Sequence, residues 1–294
     1  GSIAERNAKL ILMVGVLGVS ASAILVRFSQ APSGVTAAYR LGWTVLLLLP
    51  VVLLRCRAEL RRVTARDLVL CGASGVLLAL HFLTWFESLK RTSVASSTVL
   101  VSTEVIFTAL GFALFLHGKI PRLGVWAILL AFGGSALLAL SGGGGAGELS
   151  GNLLALAAAS AAAVYTLIGR IQRGHLSTTV YTFLTYLACF LTLLLGTAAA
   201  GTPLTGYGGR EWLIGLALAV LCTLLGHSLF SWCLKYLSPS YVSAAKLCEP
   251  VFSSLAAISL FGEVPGPLQL AGGAAVLGAV LLYTWAEREK TPAG

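Results

Sequence analysis

Apolar residues in this chain come in long unbroken runs rather than in alternation or in one-sided stripes. Ten such runs are separated by short polar breaks, and they predict helices at 9–28, 35–54, 67–89, 93–117, 122–141, 150–170, 178–200, 211–235, 240–262 and 267–286. A helix that crosses the hydrocarbon of a bilayer needs about 20 mostly apolar residues, and each run is close to that length. The breaks carry proline, glycine or charge, as in "SQAPSG", "RCRAELRRVTARD", "HGKIPR" and "SGGGGAGE". None is long enough to fold as a separate soluble module. The pattern therefore predicts an all-α integral membrane protein of ten transmembrane helices. Ala21-Ser22-Ala23 in the first run looks like a signal-peptidase site. With nine further spans behind it, that run is expected to be a retained helix. The leading Gly1-Ser2 reads as a cloning remnant.

Composition sharpens this reading. Hydrophobic residues make up 57% of the 294 positions and charged residues 11%, where a soluble domain carries about 25% charge. The net charge of +9 is not a nucleic-acid signal, because the basic residues sit at the ends of the apolar runs. With the N-terminus in the cytoplasm, fourteen of the twenty Lys and Arg fall in inner segments and four in outer loops: Arg27, Lys90, Arg91 and Arg210. Cytoplasmic loops carry such an excess, so both termini are expected to be cytoplasmic. Arg40 and Lys246 fall within spans. Arg40 and its neighbour Tyr39, near the outer end of the second span, are read as interface anchors. The six cysteines form no CxxC pair, so they are expected to pack as small apolar residues, with no metal and no cofactor.

The two halves resemble each other. "HFLTWFESLKRTSVASSTVLVSTEVIFTALGFALFLHGKIP" starts at His81, and "HSLFSWCLKYLSPSYVSAAKLCEPVFSSLAAISLFGEVP" starts at His227. In order, His81 pairs with His227, Lys90 with Lys235, Ser93 with Ser238, Glu104 with Glu249 and Pro121 with Pro265. This divides the chain into repeats 1–145 and 146–294 of five spans each. An odd number of spans makes the second copy enter the membrane from the opposite side, the arrangement of secondary transporters with a site at the midplane.

The candidate chemistry lies in mid-span. His81, Glu104, His227 and Glu249 are all roughly ten residues from a membrane face, and Lys246 is one turn nearer the cytoplasm. Ionisable residues at that depth face a bundle interior or a wet cavity. Ser74, His81, Trp85 and Ser88 share one helical stripe. Ser97, Glu104 and Thr108 share another, as do Thr223, His227 and Ser231, and Ser243, Lys246, Glu249 and Ser253. The histidines could equally serve as cross-helix hydrogen bonds, and the two glutamates as structural ties between the halves. Trp85 is a lining candidate, whereas Trp232 could be a packing or interface residue. Tyr165 and Tyr186 could complete an apolar wall. Glu249, three residues after Lys246, can partner it. Pro250 removes a backbone bond and is either a passive kink or a hinge.

These motifs resemble the drug/metabolite transporter superfamily in its EamA-domain branch, and most nearly the YddG-type amino acid exporters. The residues that carry the likeness are "LFLHGKIP" and "SLFGEVP" at the ends of the fourth and ninth spans, with Glu249-Pro250 and Gly262-Glu263. The first half departs from the pattern, with Val105 in the place of the proline and Lys119 in the place of the acidic residue. The resemblance implies export of small metabolites, amino acids including aromatic ones, across a bacterial-type cytoplasmic membrane. A zwitterion needs a cation for its carboxylate and acceptors for its ammonium, and Lys246 with nearby Glu, Ser and Tyr groups could offer both. A multidrug or lipid-linked sugar transporter of the same superfamily is the alternative. An intramembrane enzyme would carry HExxH, a nucleophile elbow or clustered ligands, and none of these is present. The chain also lacks a GxxxxGK[ST] loop, so transport is expected to be passive or driven by a gradient.

Overall fold

A computed structural model describes residues 3–141, 146–226, 229, 233 and 245–288. Every regular element among them is a helix. In chain order they are α1 (Ile3–Phe28), α2 (Ser33–Arg55), the single turn α3 (Arg57–Leu60), α4 (Ala65–Arg91), α5 (Val94–Val101), α6 (Glu104–Phe115), α7 (Arg122–Leu140), α8 (Ala146–Arg173), α9 (Thr178–Ala199) and α10 (Gly209–Ala217). A π-helical segment, Leu218–Leu225, continues α10, and α11 (Cys248–Phe261) and α12 (Pro267–Arg288) follow. Eight helical stretches are long and apolar enough to span a bilayer, counting Val94–Phe115 as one, and α11 is a shorter apolar helix. The eighth and ninth predicted spans are only partly described.

The distribution of residue sizes is that of a protein solvated by lipid. Large apolar side chains such as Leu54, Phe115, Trp126 and Leu195 are exposed, while Ser20, Ser22, Thr44, Ser74, Ser88 and Ser97 are buried. Lipid chains are as apolar as leucine, so helices associate through close packing of small residues and through hydrogen bonds. Gly75 illustrates the first mode. A Cβ there would lie 2.5 Å from Ala188 Cβ and 2.7 Å from the backbone nitrogen of Cys189, so α4 touches α9 backbone to backbone. Gly134 and Gly272 join α7 to α12 in the same way. The second mode joins α4 to α9 through Ser74 Oγ and Tyr181 Oη, 2.6 Å apart, and α4 to α5 through Ser88 and Ser97, 2.9 Å apart.

Helix α4 lies at the centre, against α2, α8 and α9. Its Leu78, Phe82, Trp85, Phe86 and Leu89 form the heart of the main apolar cluster, with Tyr186 and Cys189 of α9 and Leu218 and Cys222 of the π segment. Helix α1 packs on α11 and the π segment, and α5 packs on α8 and α11.

The two ends of the bundle are tied differently. At the end with the α1 C-terminus and the α2 N-terminus, the Glu263 carboxylate pairs with Arg27 and accepts from the first backbone N–H of α5, that of Val94, at 3.0 Å. Glu211 accepts there from Ser29 Oγ and Gln30 N, and Lys90 donates to the Ala31 carbonyl at 2.6 Å. At the other end Thr64 and Asp67 cap α4 reciprocally, His175 Nε2 meets Asp67 Oδ2 at 3.2 Å, and Glu59 accepts from Ser177.

Candidate functional site

A helix is interrupted twice, once shortly before Glu104 and once shortly before Glu249. In the first half the break falls at Ser102 and Thr103, between α5 and α6. No proline causes it. The side chain of Ser102 donates to the Val99 carbonyl at 2.5 Å and that of Thr103 to the Leu100 carbonyl at 2.6 Å. The Thr103 N–H reaches the same Leu100 carbonyl at 3.2 Å. These i→i−3 bonds compete with the helical ladder and tighten the turn. In the second half the break is at Leu247, just before α11. Pro250 is the third residue of α11, inside its first turn, where its missing N–H takes no helical bond away. The discontinuity in the ninth predicted span thus precedes the proline.

Each break is followed at once by a glutamate. Glu104 is the first residue of α6 and Glu249 the second of α11. Glu104 accepts from Thr166 Oγ1 of α8 at 3.0 Å. Glu249 is partly buried and lies within electrostatic reach of Lys246, Arg40 and Glu104. Lys246 is exposed and acts electrostatically on both glutamates.

Arg40 does not anchor an interface, as its position in the sequence suggests. It is 7% exposed. Its Nε donates to Thr223 Oγ1 in the π segment at 2.9 Å, its Nη1 to Ser22 Oγ of α1 at 3.4 Å, and its guanidinium lies over the Phe82 ring of α4 at 4.6 Å. Four elements therefore hold one buried cation. The π segment widens the turn, with the Thr223 hydroxyl reaching back five residues to the Leu218 carbonyl at 3.5 Å. Single-turn π-bulges recur at functional sites, and this one presents Thr223 to Arg40.

On α4, His81 Nδ1 lies 2.9 Å from the Ala158 carbonyl of α8. A carbonyl only accepts, so Nδ1 carries the proton there. The His81 ring stacks against Trp85 at 5.8 Å between centroids. Trp85 is 7% exposed, and its Nε1–H has no hydrogen-bond partner among the described residues. Tyr186 belongs to the same cluster, acting on Arg40, and Tyr165 borders it, stacked against Tyr181. The structure thus puts His81, Tyr186 and Glu249 within electrostatic reach of Arg40, with Trp85 stacked on His81, and Glu104 and Lys246 within reach of Glu249. Ser253 binds instead to the Ser20 carbonyl of α1 at 2.9 Å. His227, Ser231, Trp232 and Ser243 lie outside the described residues. The residue that sequence reasoning undervalued is Arg40. The only signal for it was its place inside a predicted span.

An apolar pocket of about 260 Å³ lies apart from these groups, between α2, α9 and α10, lined by Tyr39, Trp43, Phe190 and Trp212 among others.

The EamA-like transporter family model matches this chain twice, over residues 7–140 and 149–285. A pseudopaline exporter of Pseudomonas aeruginosa is 24% identical over 207 residues, covering 70% of this chain and 72% of that one. A probable terminal-alkyne amino-acid exporter of Streptantibioticus cattleyicolor is 28% identical over 233 residues, covering 76% and 75%. A solved crystal structure shares the fold, with a TM-score of 0.64 at 20% identity over 97% of this chain and 99% of that one. Two family matches that together take in nearly the whole chain, on a helical bundle with eight bilayer-length apolar stretches, make this a multi-pass membrane transporter, not an enzyme, and the chain belongs to the EamA-like transporter family.

Proposed function

We propose that this protein exports small zwitterionic metabolites of the amino acid class, aromatic ones included, across a bacterial cytoplasmic membrane by alternating access. The reading treats residues 1–145 and 146–294 as inverted five-helix repeats, with both termini cytoplasmic. The observation that carries it is that the buried Arg40 and the partly buried Glu249, which come from the two proposed repeats, lie within electrostatic reach of each other, with Glu249 two residues past a helix break. Broken helices that bring polar groups to the midplane are how secondary transporters build substrate sites. A site that offers both signs of charge suits a substrate that carries both. His81, Trp85, Tyr165 and Tyr186 would form its walls, Glu104 and Lys246 its inner rim, and Pro250 the start of the moving half-helix. His227 and Ser243 are assigned to the same lining from sequence alone. The exporter names of two relatives support the direction of transport, and one of them the amino acid class.

The test is growth. Cells that overproduce the protein should tolerate toxic analogues of phenylalanine and tryptophan better than cells that make a Glu249→Gln variant at equal membrane abundance. Equal sensitivity of the two strains would remove amino acids from the substrate range.

A further inference from the structure

A buried guanidinium in a membrane protein ordinarily has a carboxylate beside it, because its charge is costly in low dielectric. Arg40 has none in contact. Among the described residues no Asp or Glu lies within the 4.0 Å of an ion pair, and the stretch 227–244 contains neither residue. Two of its N–H bonds go to hydroxyls, those of Thr223 and Ser22. A guanidinium has five, which leaves donors for a planar two-oxygen acceptor. The Phe82 ring covers one side of the guanidinium, 4.6 Å from its central carbon.

A second donor without an acceptor among the described residues lies on the same helix as Phe82. Trp85 lies one helical turn beyond Phe82 on α4, and its buried indole N–H has no acceptor among the described residues. A buried donor left unbonded is costly, and native structures leave very few of them. Both groups are donors on buried residues, and both adjoin the same aromatics: Trp85 is a member of the α4 cluster with Tyr186, and Arg40 lies over its Phe82. Glu249 is near enough to act on Arg40 without contacting it.

From this we infer that Arg40 and the indole N–H of Trp85 together form the subsite for the substrate's carboxylate, with the ammonium directed toward Glu249. The assignment rests on the amino acid reading above and moves the carboxylate from Lys246 to Arg40. Lys246, exposed at the break, then stands at the rim.

The test is binding to the purified full chain, followed by thermal stabilisation with three probes. Phenylalanine carries both charges, phenylacetate only the carboxylate, and phenethylamine only the ammonium. The wild type should bind phenylalanine and phenylacetate, and phenethylamine at least tenfold more weakly. Trp85→Phe keeps an aromatic ring, though a smaller one, and removes the N–H. It should weaken both carboxylates about tenfold more than it weakens phenethylamine, the worth of one hydrogen bond to a charged group. Its melting temperature without ligand should fall by no more than the smaller ring costs in packing, so Trp85→Leu, which also lacks the N–H but packs less well, should melt lower and weaken the carboxylates relative to phenethylamine to a similar degree. Arg40→Lys keeps the charge and loses the fork, and should weaken the carboxylates further. Phenethylamine bound as well as phenylalanine, carboxylates unaffected by Trp85→Phe, or no carboxylate bound at all would each overturn the assignment. Phenylacetate bound in a Trp85-dependent way, with no amino acid bound or moved, would keep the carboxylate subsite and refute the amino acid reading instead.

Discussion

The alternating access we propose would require the tied end of the bundle to come apart, and Glu263 is the residue whose loss should loosen it most. Its carboxylate pairs with Arg27 of α1 and accepts from Val94 N at the start of α5, while Arg27 also reaches the Thr92 carbonyl at 3.4 Å and lies over the Phe261 ring. The bond to Val94 also places negative charge at a helix N-terminus, a favourable position. Glu263→Ala removes both contacts from the closed form. The pair is about one-fifth exposed on each side, so solvent screens part of the gain, and the net loss is about 1.5 kcal/mol. If the open form makes neither contact, its population rises roughly tenfold. The reporter is a cysteine at Ser96, which is buried in α5 two residues beyond Val94, on a cysteine-free background. An impermeant thiol reagent added from outside should label it about ten times faster in the Glu263→Ala protein than in the parent, with no substrate present. An unchanged labelling rate with an unchanged melting temperature would mean that this end does not open, or that Glu263 does not hold it shut.

Three further outcomes follow from the same structure. Lys246→Ala should leave the melting temperature within a degree or two of wild type, since Lys246 is exposed, while flux in liposomes is lost; normal flux would remove Lys246 from the pathway, and lost stability would make it a structural partner. Gly75→Ala should lower the melting temperature by the cost of overpacking, about 1–3 kcal/mol, because its Cβ has no room against α9, whereas Gly72→Ala meets nothing within 4 Å and should be neutral or stabilising; equal effects would contradict the α4–α9 contact. For orientation, a single cysteine at Gly144 should react with an impermeant reagent outside intact cells and one at Ala58 should not, and the reverse pattern would overturn the inverted arrangement of the repeats.

The helices were legible because lipid leaves a coarse mark: some twenty apolar residues in a row, closed by charge or proline. The break before Glu104 was not legible. Nothing in Leu100-Val101-Ser102-Thr103 differs from ordinary span composition, and the interruption comes from two hydroxyls turned back onto the Val99 and Leu100 carbonyls. The sequence pointed to Pro250 as the weak spot in the ninth span, but the described helix begins before it, since a proline in a first turn costs no bond. The π segment has no compositional signature, because an extra residue per turn alters register and not polarity. Arg40 needed tertiary information. Seven residues after Ser33 places it roughly 10 Å along α2, a depth equally open to an interface anchor and to a buried cation. Only the approach of Thr223, Ser22 and Phe82 from three other elements decides between them.

The central claim is that this bundle moves amino acids through a charged site within the membrane. Counterflow tests it most directly. Purified protein is reconstituted in liposomes loaded with unlabelled phenylalanine, and entry of labelled phenylalanine is followed without ATP. The account predicts rapid entry with the wild type, and entry at the rate of empty liposomes with Glu249→Gln reconstituted at the same density. Labelled phenylalanine entering no faster than in empty liposomes, while a nucleotide sugar or a cationic drug does exchange, would contradict it.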